Sequence, residues 1–225
     1  MLEDFEKKIG YEFENKNLLK KALTHTSYAY EHNKESNEKL EFLGDAILEF
    51  VTSEYLFNNY THLKEGEMTK VRASVVCEDS LYKIALKLDF SDFLYLGRSE
   101  IANNGNKRPA ILADAVEALI AAMYLDSGIE EVKKFIITNL DIPIQLASKN
   151  VGMKDYKTVL QEKLQSNKGE VHIQYEIIAE SGPDHDKRFT AQVKFNGEIL
   201  AKGEGKSKKE AEMDAARIAI SENKV

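Results

Sequence analysis

The chain has 225 residues, 43% hydrophobic and 31% charged, with a formal net charge of −7. That length suits two domains better than one, and the apolar share is enough for buried cores in a water-soluble chain. Three prolines and twelve glycines argue against low complexity, and the single Cys77 excludes an intramolecular disulfide or a multi-cysteine zinc site. A lone thiol suits a reducing compartment and is expected to pack as a small hydrophobe. No apolar run approaches a membrane span, and the acidic opening MLEDFEKKIGYEF reads as neither secretory signal nor transit peptide. A cytoplasmic location with no membrane partner is therefore expected.

Taken in chain order, LEDFEKKIGY and KNLLKKALTH repeat apolar residues at spacings of three and four, which predicts helices. His25 follows amid apolar neighbours. It is a tempting general base, but a histidine in that setting is more often structural. The stretch NEKLEFLGDAIL, from Asn37 to Leu48, predicts one helix in which Glu38, Glu41 and Asp45 share a face. A solvated acidic face explains such a stripe adequately, because Asp and Glu are rarely buried unless paired. The helical period continues through AILEFVTSEYLF and LYKIALKL, with no sustained strand-like alternation.

PAILADAVEALIAAMYLD changes the weighing. Between Pro109 and Leu125 the only charged residues are Asp114 and Glu117, one helical turn apart, with no lysine or arginine along the helix to neutralise them. Buried carboxylates are paired, protonated or metal-bound, because an unpaired buried charge is costly. Two helices that each offer carboxylates with few cations nearby suggest an oxygen-ligand site for Mg²⁺ or Mn²⁺. Pairing with Arg72, Arg98 or Arg108 is the competing reading.

EEVKKFIITNL predicts one more helix, and the stretch DIPIQLASKNVGMKD then shows no clear period. It is read as a linker over residues 142–153, between an all-α domain at 1–141 and a second domain at 154–225. Here the pattern shifts. YKTVLQEKLQS reads as a helix, while VHIQYEII and KRFTAQVKF alternate as strands do. Asn196-Gly197 is a strong hairpin signal before a third strand, EILAKGEG. In the last helix, SKKEAEMDAARIAI, Ser207 and Glu210 form a capping-box pair. The fold class expected is two domains: all-α, followed by a small α+β unit of order α-β-β-β-α.

Charge follows the same division. Residues 151–225 hold 13 basic and 13 acidic side chains, so the whole negative excess lies in residues 1–150, with 18 basic and 25 acidic. Lys206, Lys208 and Lys209 gather where the last helix begins, a place where ammonium and free N–H groups converge on phosphate. Alone, a lysine-rich helix start is usually just solvated.

NEKLEFLGDAIL resembles the signature of the ribonuclease III family, and ILADAVEALIAAMYLD is similar to that family's second acidic motif. LTHTSY and VRASVV fit as well, and the trailing α-β-β-β-α unit resembles the double-stranded-RNA-binding domain of bacterial members. Lys39 stands where the signature usually has arginine. The resemblance spans nearly the whole chain. It implies a metal-dependent endoribonuclease that cleaves double-stranded RNA, works as a homodimer and leaves short 3′ overhangs. Glu41, Asp45, Asp114 and Glu117 match the family's metal-binding and catalytic carboxylates, with Asp45 and Glu117 most directly catalytic. Glu38 and Glu65 match supporting acidic positions. Phe42 matches an aromatic placed in the partner subunit, although an intramolecular core role reads equally well. Gln161, Gln165 and His185 match minor-groove contacts, joined by Lys206, Lys208 and Lys209 on the RNA face. Two divalent ions about 4 Å apart would supply the chemistry of phosphodiester hydrolysis. An RNA binder that does not cut, and a hydrolase of small phosphorylated substrates, are the rival readings.

Overall fold

The structure, a computed structural model, describes residues 2–151, 156–167, 172–183 and 187–222. It divides into two compact units, Met1–Gly152 and Met153–Val225. The first unit is helical among the described residues, and the second carries the strands, as the periods predict.

Unit 1 is organised around α8 (Pro109–Ser127). Proline at the first helical position and Gly128 beyond the last, at φ 81°, bracket this helix. It is apolar on nearly all sides, the pattern of a helix wrapped by others. Its Ile111–Met123 stretch buries every side chain except Asp114 and Glu117. Packed on it are α4 (Glu38–Asn59), α6 (Glu78–Lys87), α2 (Lys16–Ala22) and α9 (Ile129–Val151). The remaining helices are α1 (Leu2–Ile9), α3 (Thr26–His32), α5 (Glu65–Val75) and α7 (Arg98–Ala102). Phe5, Phe90 and Phe93 close one side of the core, with Phe5 meeting Phe90 edge to face at 4.9 Å between centroids. No helix among the described residues is long and apolar enough to cross a membrane.

Two expectations fail here. The stretch read as an aperiodic linker is helical as far as Val151, with Pro143 inside the helix. Leu140, Ile144, Ala147 and Val151 pack against the core at spacings of four, three and four. That period was masked by the proline and by Ile142 and Leu146, which point outward. Pro143 lacks the N–H that would bond the Asn139 carbonyl, a cost that the packing of Leu140 and Ile144 offsets. Cys77, expected to pack as a small hydrophobe, is exposed. It occupies the position before α6, with Sγ 3.4 Å from the Ser74 carbonyl.

Unit 2 lays α10 (Tyr156–Asn167) and α11 (Lys208–Ser221) against a sheet ordered β1-β2-β3. Its strands β1 (Ile173–Ser181), β2 (Arg188–Phe195) and β3 (Glu198–Gly205) are antiparallel, with Ile173 opposite Phe195 and Val193 opposite Ala201. Asn196 and Gly197 both take positive φ, 49° and 90°, which is what a tight hairpin of this hand requires. The core joins Leu160 and Leu164 of α10 to Val193, Ala201 and the alanines of α11. Ser207 caps α11 by accepting the Glu210 N–H, while the Glu210 carboxylate turns back to the Lys206 N–H instead of its own cap residue.

Helix α11 rides directly on β3. A Cβ at Gly203 would fall 2.1 Å from the Ala215 nitrogen, so only glycine fits there. Gly203→Ala should destabilise unit 2 by about 1–3 kcal/mol through overpacking. Chemical denaturation followed by circular dichroism should show the change in the unit 2 transition, with that of unit 1 unmoved. An unshifted unit 2 transition would show that the helix has room to retreat.

Candidate metal centre

The centre is built where α4 and α8 touch backbone to backbone. A Cβ at Gly44 would fall 1.8 Å from the Glu117 carbonyl oxygen, so glycine at this position lets the helices close fully. Glu41 lies one turn before Gly44 on α4, and Asp114 one turn before Glu117 on α8. This contact brings carboxylate oxygens of Glu41, Asp114 and Glu117 to within 4.8 Å of one another, all three half-buried. The apolar flanks of α8 explain the burial, and the contact explains the convergence.

The competing cation pairings are spent elsewhere. Arg72 binds Glu49 at 2.7 Å and donates to the Ser53 hydroxyl at 2.8 Å, and Arg108 binds Glu100 at 2.6 Å. Among the described residues, neither Arg98 nor any other lysine or arginine pairs with Glu41, Asp45, Asp114 or Glu117. Three acidic groups thus share a partly desolvated corner with no lysine or arginine paired to them among the described residues.

Their proton affinities record the crowding. Burial, then the charges of Asp45, Asp114 and Glu41, push the Glu117 carboxyl up to about 8. Glu41 is raised by burial and by Asp114, Glu38 and Asp45. Asp114 is raised by burial and by Glu78, with the His25 imidazole opposing. A cluster in which burial and neighbouring charges disfavour the bare carboxylates, and that offers only hard oxygen donors, fits Mg²⁺ or Mn²⁺.

The other candidates fall into place around this trio. Asp45 is exposed on the next turn of α4, outside the 4.8 Å group, yet its charge acts on Glu117 more strongly than any other. Glu38, exposed at the head of α4, accepts a hydrogen bond from Ser36 at 2.8 Å. Glu65 begins α5, takes a bond from Thr69 at 3.2 Å and does not join the cluster. Phe42 is 81% exposed, which rejects the core reading. His25 caps α3 through Nδ1, which accepts the Ser27 N–H at 3.3 Å. Sequence reasoning missed Glu78, whose charge bears on Asp114. In the sequence it looks like an ordinary acid in a helix's first turn.

In unit 2, Gln161 and Gln165 are exposed on α10, one turn apart. Lys206, Lys208 and Lys209 are exposed at the head of α11, with Lys208 3.5 Å from Glu180 and 5.8 Å from the Phe189 ring centroid. His185 lies outside the described residues.

Comparison with known proteins agrees with both units. Residues 15–142 match a family described as Ribonuclease-III-like, and residues 156–223 match the double-stranded RNA binding motif. Proteins named Ribonuclease 3 from Listeria innocua and Caldanaerobacter subterraneus are 47% and 49% identical to the chain. Each alignment covers 98% of this chain, and 96% and 97% of the respective relative. Among solved structures, a ribonuclease III nuclease domain from Campylobacter jejuni, described as flexible in a region involved in dimer formation, superposes with a TM-score of 0.60. It is 41% identical and covers 64% of this chain and 98% of its own.

The raised Glu117 carboxyl has a consequence for stability. In the unfolded chain this group titrates near 4.5, so the folded protein binds the extra proton between that pH and about 8. Its stabilising contribution is complete below the unfolded value and is lost as pH rises through the folded one. Melting temperature in chelator should therefore fall between about pH 5 and pH 8.5, and Glu117→Gln should flatten the fall. Equal slopes for the two proteins would show that Glu117 is not the proton-holding group.

Proposed function

The chain belongs to the ribonuclease III family, and from that premise we propose that this endoribonuclease cuts double-stranded RNA by divalent-metal-assisted hydrolysis. The observation that carries the reading is the Glu41–Asp114–Glu117 trio, with carboxylate oxygens within 4.8 Å of one another and no lysine or arginine paired to them among the described residues, in a chain that also holds a double-stranded RNA binding motif. A protein that only held RNA would gain nothing from half-buried carboxylates facing a polyanion.

In this reading Glu41, Asp114 and Glu117 hold Mg²⁺, with Mn²⁺ able to substitute. Bound there, divalent ions supply charge neutralisation on the phosphate, an activated water and a stabilised leaving oxygen. The residues contribute what precedes and frames that chemistry. Glu117 would hold the ion as a carboxylate, and the charge of Asp45 acts on it from the exposed turn of α4. Asp45 and Glu117 are the residues most directly catalytic, with Glu38 and Glu65 supporting. The products are ends with 5′-phosphate and 3′-hydroxyl and short 3′ overhangs. Ribosomal and other structured RNA precursors in the cytoplasm are the substrates. Phe42, exposed beside the acidic face, seats against a second copy in a homodimer. Unit 2 supplies affinity, through Gln161, Gln165 and His185 in the minor groove and Lys206, Lys208 and Lys209 on phosphates.

Incubating the chain with a long RNA duplex should give short products in Mg²⁺ and none in chelator. Glu117→Gln should lower cleavage by at least about 100-fold, since residues behind metal ligands already cost about 10–100-fold. Duplex affinity should stay within about twofold, because phosphate and groove contacts lie in unit 2. Cutting at the normal rate by Glu117→Gln would sink the assignment.

A second test addresses the grip. Lys208→Ala with Lys209→Ala should weaken binding to all duplexes alike and reduce the slope of log affinity against log salt by up to about 2. Gln161→Ala should instead erode the preference for RNA over DNA of the same sequence. Titrations across a salt series separate the two, and a lysine pair that changes the RNA-to-DNA ratio would misplace the binding face.

A further inference from the structure

Asn37 stands immediately before α4 and is 3% exposed. An amide that deep must place its donors on protein acceptors. Its Nδ2 donates to the Ala22 carbonyl at 3.3 Å, and its backbone N–H donates to the Thr24 carbonyl at 2.8 Å. Its own carbonyl accepts the N–H groups of Leu40 at 2.8 Å and of Glu41 at 2.9 Å. Two bonds thus reach back to the corner between α2 and α3, and two form the first turn of α4, ending on Glu41.

An asparagine before a helix usually turns its side chain onto the helix's own first N–H groups. Asn37 makes no such bond, and its amide reaches away to the corner instead. The corner is itself fixed. His25 donates its N–H to the Tyr95 carbonyl at 3.1 Å, Tyr95 donates to the Leu23 carbonyl at 2.8 Å, and the Thr24 hydroxyl bonds the Lys20 carbonyl at 2.7 Å. The same corner carries the imidazole that bears on Asp114.

Helix α4 is therefore held at two points on its acidic stretch. Asn37 ties it to the corner, and Gly44 presses it onto the Glu117 carbonyl. Two points fix both the rotation and the slide of a helix segment, and Glu41 lies between them. We propose that Asn37 is a positioning residue that sets Glu41 against Asp114 and Glu117, and so determines how tightly the centre takes a divalent cation. The inference rests on the metal-assisted reading above. Residues that orient ligands in this way typically govern about 10–100-fold in metal affinity.

The test uses the full chain with Asn37→Ala and Asn37→Ser, the serine keeping a hydroxyl before the helix that is too short to reach Ala22. Circular dichroism sets an assay temperature at which both variants are folded, and Val132→Ala on α9 supplies a loss of stability away from the corner. Mn²⁺ binding without RNA is read by electron paramagnetic resonance, and duplex cleavage is read across a Mg²⁺ titration. Both Asn37 variants should bind Mn²⁺ roughly 10–100-fold more weakly and need correspondingly more Mg²⁺ for half-maximal cleavage. Saturating Mg²⁺ should restore kcat, duplex affinity should not move, and Val132→Ala should lower Tm alone. Mn²⁺ affinity within about twofold of the parent in the folded variants overturns the inference, as does a cleavage defect that excess Mg²⁺ leaves in place. A parent chain that takes up no Mn²⁺ overturns the metal-assisted reading itself, which is a different result from equal uptake by parent and variants.

Discussion

Everything distinctive in the first unit depends on two helix backbones meeting at Gly44. The usual separation of packed helices, about 8–10 Å between axes, is set by side chains at the contact. Removing the side chain from one partner lets α4 settle against the Glu117 carbonyl. The carboxylates on the neighbouring turns then have nowhere to go except toward each other. Glycine inside a helix weakens it by roughly 0.5–1 kcal/mol relative to alanine, and the extensive α4–α8 packing has to offset that. The sequence tolerates this loss at the one place where bulk would hold the acids apart.

The folded chain thus stores an electrostatic tension that it does not relieve internally. Of the arginines that could have paired with the cluster, Arg72 and Arg108 are committed to Glu49 and Glu100. An internal salt bridge would have calmed the site and made it inert toward cations from solution. Leaving acidic groups crowded in a partly desolvated corner keeps the centre receptive, and the raised proton affinity of Glu117 records that crowding. Stability and receptivity pull in opposite directions here, and the geometry favours receptivity.

Much of this was legible before any coordinates. Asp114 and Glu117 stood out because nothing else charged lies between Pro109 and Leu125, and Glu41 followed from spacing on a second helix. The α-β-β-β-α order came from the change of period and from Asn196-Gly197. What escaped detection has identifiable causes. The end of α9 hid behind Pro143 and two outward-facing apolar residues, so a real 3.6-residue period looked like none. Glu78 reaches Asp114 only through the packing of α6 on α8, and through-space proximity leaves no trace in local pattern. The exposure of Phe42 was undecidable for a similar reason, since an aromatic residue beside acids fits a core and a surface equally well. Asn37 read as a plain helix start, because its partners lie in a different segment of the chain.

The position of Cys77 carries a chemical consequence of its own. With one thiol in the chain, and that thiol exposed, oxidation can join it only to another molecule: a small thiol or the cysteine of a second copy. The sulfur sits directly before Glu78, whose charge bears on Asp114. Any adduct formed there adds bulk, and in some cases charge, one residue from Glu78. The same sulfur is also a single attachment point for a reporter group, on the residue next to one whose charge bears on the centre.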